Sequence, residues 1–168
     1  MLLDARSISD GETLTADVCI VGAGAAGITL AMELLATGLT IIVLEAGGKS
    51  KAGPSQGLYQ GELNDPVRHL PLDQARYRQL GGTTSLWGGR CIPFDSLDFD
   101  QREWISHSGW PFPQKEIDGY YRRAHSYCEC GEYDYRVSTA RPGAPPSMLP
   151  GFEDGDVNTS GIERGSPP

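Results

Sequence analysis

Near the N-terminus, apolar residues gather into short unbroken runs separated by glycine. Ala16-Asp17-Val18-Cys19-Ile20-Val21 is rich in β-branched side chains and stops at Gly22, which predicts a buried strand. From Ala25 to Thr37 the apolar positions Ile28, Ala31, Leu34 and Leu35 follow helical spacing, and Gly38 stands where a helix C-cap is expected. Thr40-Ile41-Ile42-Val43-Leu44 is again continuous and β-branched. Strand, helix and strand joined by such short connections predict a parallel βαβ unit. Neither run alternates apolar with polar residues, so both strands are expected to be covered on both faces, with Cys19 packing there as a small hydrophobe.

The pattern then fades. Residues 47–57 read as a loop by composition, and 58–113 hold turn signals with few clear elements. Loops of this length in a compact domain are usually functional or partly disordered. A second amphipathic helix is predicted from Gln114 to about Cys128, with Pro113 near its start and Ile117, Tyr120, Tyr121, Ala124 and Tyr127 on one face. Residues 137–168 hold half of the 12 prolines and no core pattern. There is no internal repeat.

Composition narrows the function classes. The 168 residues fit one domain and are 39% apolar and 21% charged, as in soluble globular proteins, while 22 glycines and 12 prolines imply extensive loops. A net charge of −8 offers no basic field to neutralise nucleic-acid phosphates. The four cysteines, Cys19, Cys91, Cys128 and Cys130, lack metal-ligand spacing and read as reduced thiols, so no metal site is expected. The N-terminal segment carries Asp4, Arg6, Asp10 and Glu12 without an apolar stretch resembling a signal peptide. The longest uncharged run, Val18 to Met32, is too short to span a bilayer, which makes a cytoplasmic chain the default expectation.

Gly22-Ala23-Gly24-Ala25-Ala26-Gly27 is a G-x-G-x-x-G sequence placed after a predicted strand and at the start of a predicted helix. Glu45 lies 18 residues past Gly27, at the end of the second strand. That is the context of a dinucleotide fingerprint. Gly22 permits the tight turn, Gly24 lets backbone approach a pyrophosphate, and Gly27 lets helix and strand pack closely. The helix N-terminus offers free N–H groups to phosphate, and Glu45 would accept hydrogen bonds from an adenosine ribose while disfavouring a 2′-phosphate. An adenine dinucleotide, FAD or NAD, is implied over NADP; the alternative is a glycine turn with no ligand. A second cluster, Gly81-Gly82-Thr83-Thr84-Ser85-Leu86-Trp87-Gly88-Gly89-Arg90, suits a planar polar-edged ring or a phosphate, or else is a glycine-rich surface turn.

These motifs, with Leu44-Glu45-Ala46-Gly47, Arg78-Gln79-Leu80, Phe94-Asp95-Ser96-Leu97-Asp98-Phe99 and Ser108-Gly109-Trp110-Pro111, run in an order that resembles the N-terminal FAD-binding part of the glucose-methanol-choline (GMC) oxidoreductases, most similar to the sugar and polyol dehydrogenase branch. The resemblance implies an α/β, Rossmann-like FAD-binding βαβ unit with long glycine-rich loops and an incomplete sheet. It implies an N-terminal extension at 1–14, a partial FAD-binding domain at 15–136, and a tail at 137–168 that begins a truncated substrate region. The implied cofactor set is Gly22, Gly24, Ala25, Ala26, Gly27, Glu45, Ala46 and Arg78, with Gly81, Gly82, Thr83, Ser85, Leu86, Trp87 and Gly88 from the segment Gly81 to Gly89 that passes beside the isoalloxazine. Leu86 stands where some members carry a flavin-linked histidine, so non-covalent FAD is expected. The implied activity is oxidation of a CH–OH group of a sugar, polyol or other small alcohol, with hydride passing to flavin N5. The family's proton-accepting histidine, paired with another histidine or an asparagine, would lie downstream, leaving His69, His107 and His125 as surface or packing residues and the 168 residues catalytically incomplete. An inactive nucleotide-binding fragment and an NAD-dependent dehydrogenase are the alternatives, and the electron acceptor is not readable.

Two motifs carry less. Gly53-Pro54-Ser55-Gln56-Gly57 satisfies the G-x-S-x-G pattern of hydrolases but lacks the strand and helix that a nucleophile elbow requires. Asn158-Thr159-Ser160 matches a glycosylation acceptor, without a secretory signal to give it meaning.

Overall fold

The computed structural model describes residues 1–51, 53–140, 142–143 and 161–165. The 158–160 motif and most of the proline-rich tail lie outside the described residues. The chain divides into two compact units, Met1–Trp87 and Gly88–Pro168.

The first unit is built on the expected βαβ. Strand β1 (Val18–Val21) pairs in parallel with β2 (Ile41–Leu44), Val18 opposite Ile41 and Val21 opposite Leu44. Helix α1 (Ala25–Leu34) connects them through a 3₁₀ turn, Leu35–Thr37, and Gly38 ends it with φ +78°, the left-handed conformation that favours glycine at this position. The entry to β2 is fixed by Asp17, whose carboxylate accepts from the Thr40 N–H at 2.8 Å while its own N–H donates to the Thr40 carbonyl.

The expectation that both strands are covered on both faces is not met. Ile20 is buried, but Val21 is 83% exposed, Val43 and Leu44 are exposed, and Cys19 is an exposed thiol. Successive strand residues point to opposite faces. The face bearing Ile20 packs within the chain, and the face bearing Cys19 and Val21 is open.

Beyond β2 the first unit continues in short pieces, α2 (Gly53–Gln56), a 3₁₀ turn Gly57–Tyr59, α3 (Leu72–Ala75) and a 3₁₀ turn Gly82–Ser85. Gln56 holds them together. It is buried; its Nε2 donates to the carbonyls of Asp73 and Arg76, both at 2.6 Å, and its Oε1 accepts from the Arg78 N–H at 3.0 Å. One amide thereby satisfies backbone groups that a loop would otherwise leave unpaired. Ser55 sits inside a single helical turn, not at a strand-to-helix elbow.

The second unit contains β3 (Arg90–Cys91), α4 (Ser96–Phe99), α5 (Asp118–Cys128), α6 (Val137–Ala140) and β4 (Arg164–Gly165), with β3 and β4 antiparallel. Asp95 and Asp98 form a reciprocal capping box on α4, which turns Phe99 into an aromatic cluster with Phe94, Trp110 and Phe112 at centroid distances of 5.7–6.4 Å. Gly109, φ +84°, makes the turn before Trp110 possible, since a Cβ there would lie 2.9 Å from the Gln101 nitrogen.

Helix α5 matches its predicted end, but its inner face differs from the expected one. His125 is buried and Tyr121 half-buried, whereas Tyr120, Ala124 and Tyr127 are exposed. The reason is polar. The His125 Nδ1–H donates to the Gly131 carbonyl at 3.0 Å, leaving Nε2 to accept from the Tyr135 hydroxyl at 2.8 Å, so an imidazole with both nitrogens satisfied displaces the tyrosines from the core-facing row.

Candidate functional site

The glycine motif folds into the turn its spacing requires. Gly22 has φ +98°, and its N–H donates to the Leu44 carbonyl at 2.7 Å, closing the turn against the end of β2. A Cβ at Gly27 would meet the Gly22 carbonyl oxygen at 1.9 Å, so helix and turn approach closer than any side chain allows. At Gly24 a Cβ would meet nothing within 4 Å. The turn is thus tight at Gly27 and open at Gly24. Gly24 is also the N-cap of α1 and brings no side chain to cap it, which leaves the first-turn N–H groups of Ala25, Ala26 and Gly27 without an acceptor in the helix. Open space and unsatisfied donors at the positive end of a ten-residue helix are what an anionic phosphate requires.

Glu45 is tied into this turn. Its Oε2 accepts from the Ala23 N–H at 2.8 Å and its Oε1 from the Gly47 N–H at 2.7 Å. A carboxylate carries about four lone-pair sites, so each oxygen keeps capacity for a further donor such as a ribose hydroxyl. The residue has a structural task that the motif alone does not reveal: it locks the turn of β1 to the turn of β2. Ala46 is exposed beside it.

The second glycine segment docks onto the first, backbone against backbone. The Gly81 N–H donates to the Ala23 carbonyl at 2.8 Å, the Leu80 N–H to the Gly48 carbonyl at 2.9 Å, and Gly48 bridges Gln79 in parallel register. A Cβ at Gly82 would lie 3.2 Å from the Gly24 Cα, and one at Gly47 only 2.1 Å from the Arg78 carbonyl oxygen. Residues 22–27, 45–48 and 78–82 therefore form one contiguous surface within the first unit. Thr83 and Thr84 are engaged locally, Thr83 Oγ1 accepting from the Tyr77 N–H and the Thr84 hydroxyl donating to the Gly81 carbonyl. Ser85, Leu86 and Trp87 are exposed at the end of that unit, and Gly88 opens the second.

Arg78 adds a donor, its Nε, that has no partner among the described residues. Its guanidinium lies over the Tyr59 ring at 5.3 Å, and its Nε is buried without a hydrogen bond. Buried polar atoms are nearly always paired, so an orphaned guanidinium nitrogen fits a polar ligand group. The glycine cradle, the bare helix N-terminus and Arg78 together suit a dinucleotide with a negatively charged linker.

In the second unit Asp134 anchors two arginines. Its carboxylate accepts from Arg136, whose hydrogen bonds hold the carboxyl far below its ordinary range, and its backbone carbonyl accepts from Arg164 Nε at 2.9 Å and Nη2 at 2.6 Å. Burial pushes the Tyr135 hydroxyl and the Cys91 thiol each up to about 12, so both are neutral at physiological pH. His125 is occupied on both nitrogens.

Residues 17–155 match the family described as FAD dependent oxidoreductase. Among curated proteins the chain is similar to an oxygen-dependent choline dehydrogenase of Photobacterium profundum, 32% identical over 73% of this chain and 24% of that protein. It is similar to 6'''-hydroxyparomomycin C oxidase of Streptomyces lividus, 29% identical over 62% and 21% respectively. It is also similar to the fructose dehydrogenase large subunit of Gluconobacter japonicus, 26% identical over 80% and 30%. The chain spans roughly a fifth to a third of the length of these relatives. No solved structure matches it.

Proposed function

The chain belongs to the FAD-dependent oxidoreductases and is similar to their GMC members; from that premise we propose that it binds FAD non-covalently and serves an enzyme that oxidises a CH–OH group of a small alcohol or sugar. The observation that carries the reading is the contrast within one turn, closed to any side chain at Gly27 and open at Gly24 beside an uncapped helix N-terminus. In this reading the N–H groups of Ala25, Ala26 and Gly27 bind the pyrophosphate, Glu45 accepts from the adenosine ribose, and the segment from Gly81 to Gly88 lies along the flavin ring. Arg78 supplies a fixed positive charge. When bound, FAD supplies at N5 the two-electron acceptor for hydride removed from the alcohol carbon. Removal of the hydroxyl proton needs a base, and His125 is committed to Gly131 and Tyr135, so the 168 residues alone are expected to turn over no alcohol.

The alcohol and sugar assignment rests on what the similar proteins are named for, and the non-covalent attachment rests on Leu86 offering no nucleophile to the flavin ring. Purified chain reconstituted with FAD should show flavin absorbance that survives gel filtration and passes wholly into the supernatant on acid precipitation. Flavin left in the pellet would refute non-covalent binding. Failure to retain flavin, with Gly24→Ala behaving as wild type, would sink the cofactor site.

A further inference from the structure

Three of the four cysteines converge in the second unit, and none of them is among the residues assigned above to the cofactor. Cys91 is the last residue of β3, Cys128 the last of α5, and Cys130 follows two positions on. Their three Sγ atoms all lie within 4.8 Å of one another. Sequence spacing gives no hint of this, because Cys91 reaches the pair from a distant part of the chain.

The backbone is bent to bring the pair together. On a continuing helix, residues i and i+2 stand roughly 200° apart and their side chains diverge. Between Cys128 and Cys130, however, Glu129 takes the left-handed conformation, φ 51°, which is unfavourable for a residue with a Cβ by roughly 1–2 kcal/mol. The N–H groups of Glu129 and Cys130 both donate to the His125 carbonyl, holding the reversal in place. Cys130 is buried, while Cys91 and Cys128 are half-buried, so the cluster has a solvent-facing side. Its existing sulfur contacts are weak, Cys91 to the Gly89 carbonyl at 3.7 Å and Cys130 to the Cys128 carbonyl at 3.5 Å.

We propose that Cys91, Cys128 and Cys130 form a three-thiolate site for a thiophilic divalent cation of the zinc class, with a fourth coordination position open to solvent. Zinc–sulfur bonds of about 2.3 Å in tetrahedral geometry place ligand sulfurs about 3.8 Å apart, so sulfurs already within 4.8 Å need to close by about 1 Å at most. Soft thiolates select such ions over magnesium or calcium. Binding exchanges three S–H protons, released to solvent, for three metal–sulfur bonds, with no change in oxidation state. The fourth ligand is water, since both nitrogens of the nearby His125 are taken. A disulfide would join two of the sulfurs and leave the third idle; three mutually close sulfurs are the donor set of a metal. The proposal is independent of the flavin assignment.

Metal-free, reduced full-length chain titrated with Cd²⁺, followed by thiolate-to-metal charge-transfer absorption, should saturate at one equivalent with release of three protons. Zn²⁺ should displace a chromophoric chelator with the same stoichiometry. A thiol reagent should then count one reactive cysteine, Cys19, in the loaded chain against four in the unfolded metal-free chain. Cys19→Ser should bind as wild type, while Cys91→Ser and Cys130→Ser should each weaken binding more than about 100-fold, beyond the 10–100-fold typical of an outer-shell change. Absence of saturation at one equivalent, equal loss on Cys19→Ser and Cys91→Ser, or an air-formed disulfide within the trio that metal does not prevent would each overturn the site. Should a serine variant fail to fold, the proton and thiol counts on the wild-type chain decide the matter alone.

Discussion

A methyl group added at Gly27 and one added at Gly24 should have opposite consequences. At Gly27 it collides with a backbone oxygen that cannot move without opening the turn, so Gly27→Ala is expected to cost about 3 kcal/mol or more in urea denaturation. At Gly24 it enters open space, and Gly24→Ala should change stability by less than about 0.5 kcal/mol while reducing FAD affinity at least tenfold by titration. Glu45→Ala strips an acceptor from the Ala23 and Gly47 N–H groups, and should lower stability by about 2 kcal/mol before any effect on ribose is counted. The glycines were legible because only one arrangement of strand, turn and helix uses them at that spacing. Gln56 was not, since nothing local distinguishes a glutamine that satisfies distant carbonyls from one that faces water. Nor was the thiol trio, which depends on a left-handed Glu129 that no propensity predicts.

Among the elements, those with a strong apolar period read correctly from sequence and those defined by long-range contacts did not. β1, α1 and β2 follow from β-branched runs and helical spacing, yet the exposure of Cys19 and Val21 could not, because a run of apolar residues does not say how many faces are covered. Helix α5 was legible in extent but not in face, because a buried histidine looks polar to any pattern of hydropathy. The motif residues 94–99 and 108–111 prove to be a capping box and an aromatic cluster, so part of the family resemblance is carried by packing. Asp95→Ala should therefore destabilise α4 by about 1 kcal/mol, read by loss of near-ultraviolet signal from Trp110. Acid should act on the turn at Asp134. Its carboxyl is held below the ordinary 3.8 by Arg136, so the contribution is fully present above that value and is lost as pH falls towards the folded one. Asp134→Asn should flatten the stability profile below about pH 4 and leave it unchanged between 5 and 7.

At the scale of the molecule, the described residues include few buried apolar side chains, Ile20, Ala23, Phe99, Cys130 and Val137, and none of the large ones is fully enclosed. Stability at or below the lower end of the usual 5–15 kcal/mol range is expected. FAD at about 100 times its dissociation constant should add about 2.7 kcal/mol of protection to amides in residues 1–87, measured by hydrogen exchange, and little to the second unit. No helix among the described residues is long and apolar enough to cross a membrane. The docking of residues 78–82 onto Ala23 and Gly48 has a kinetic consequence. These contacts join positions far apart in the chain, and their loop-closure entropy must be met before any of them forms, whereas the βαβ unit closes over shorter spans. The docked segment 78–82 is therefore expected to assemble after the βαβ unit in folding.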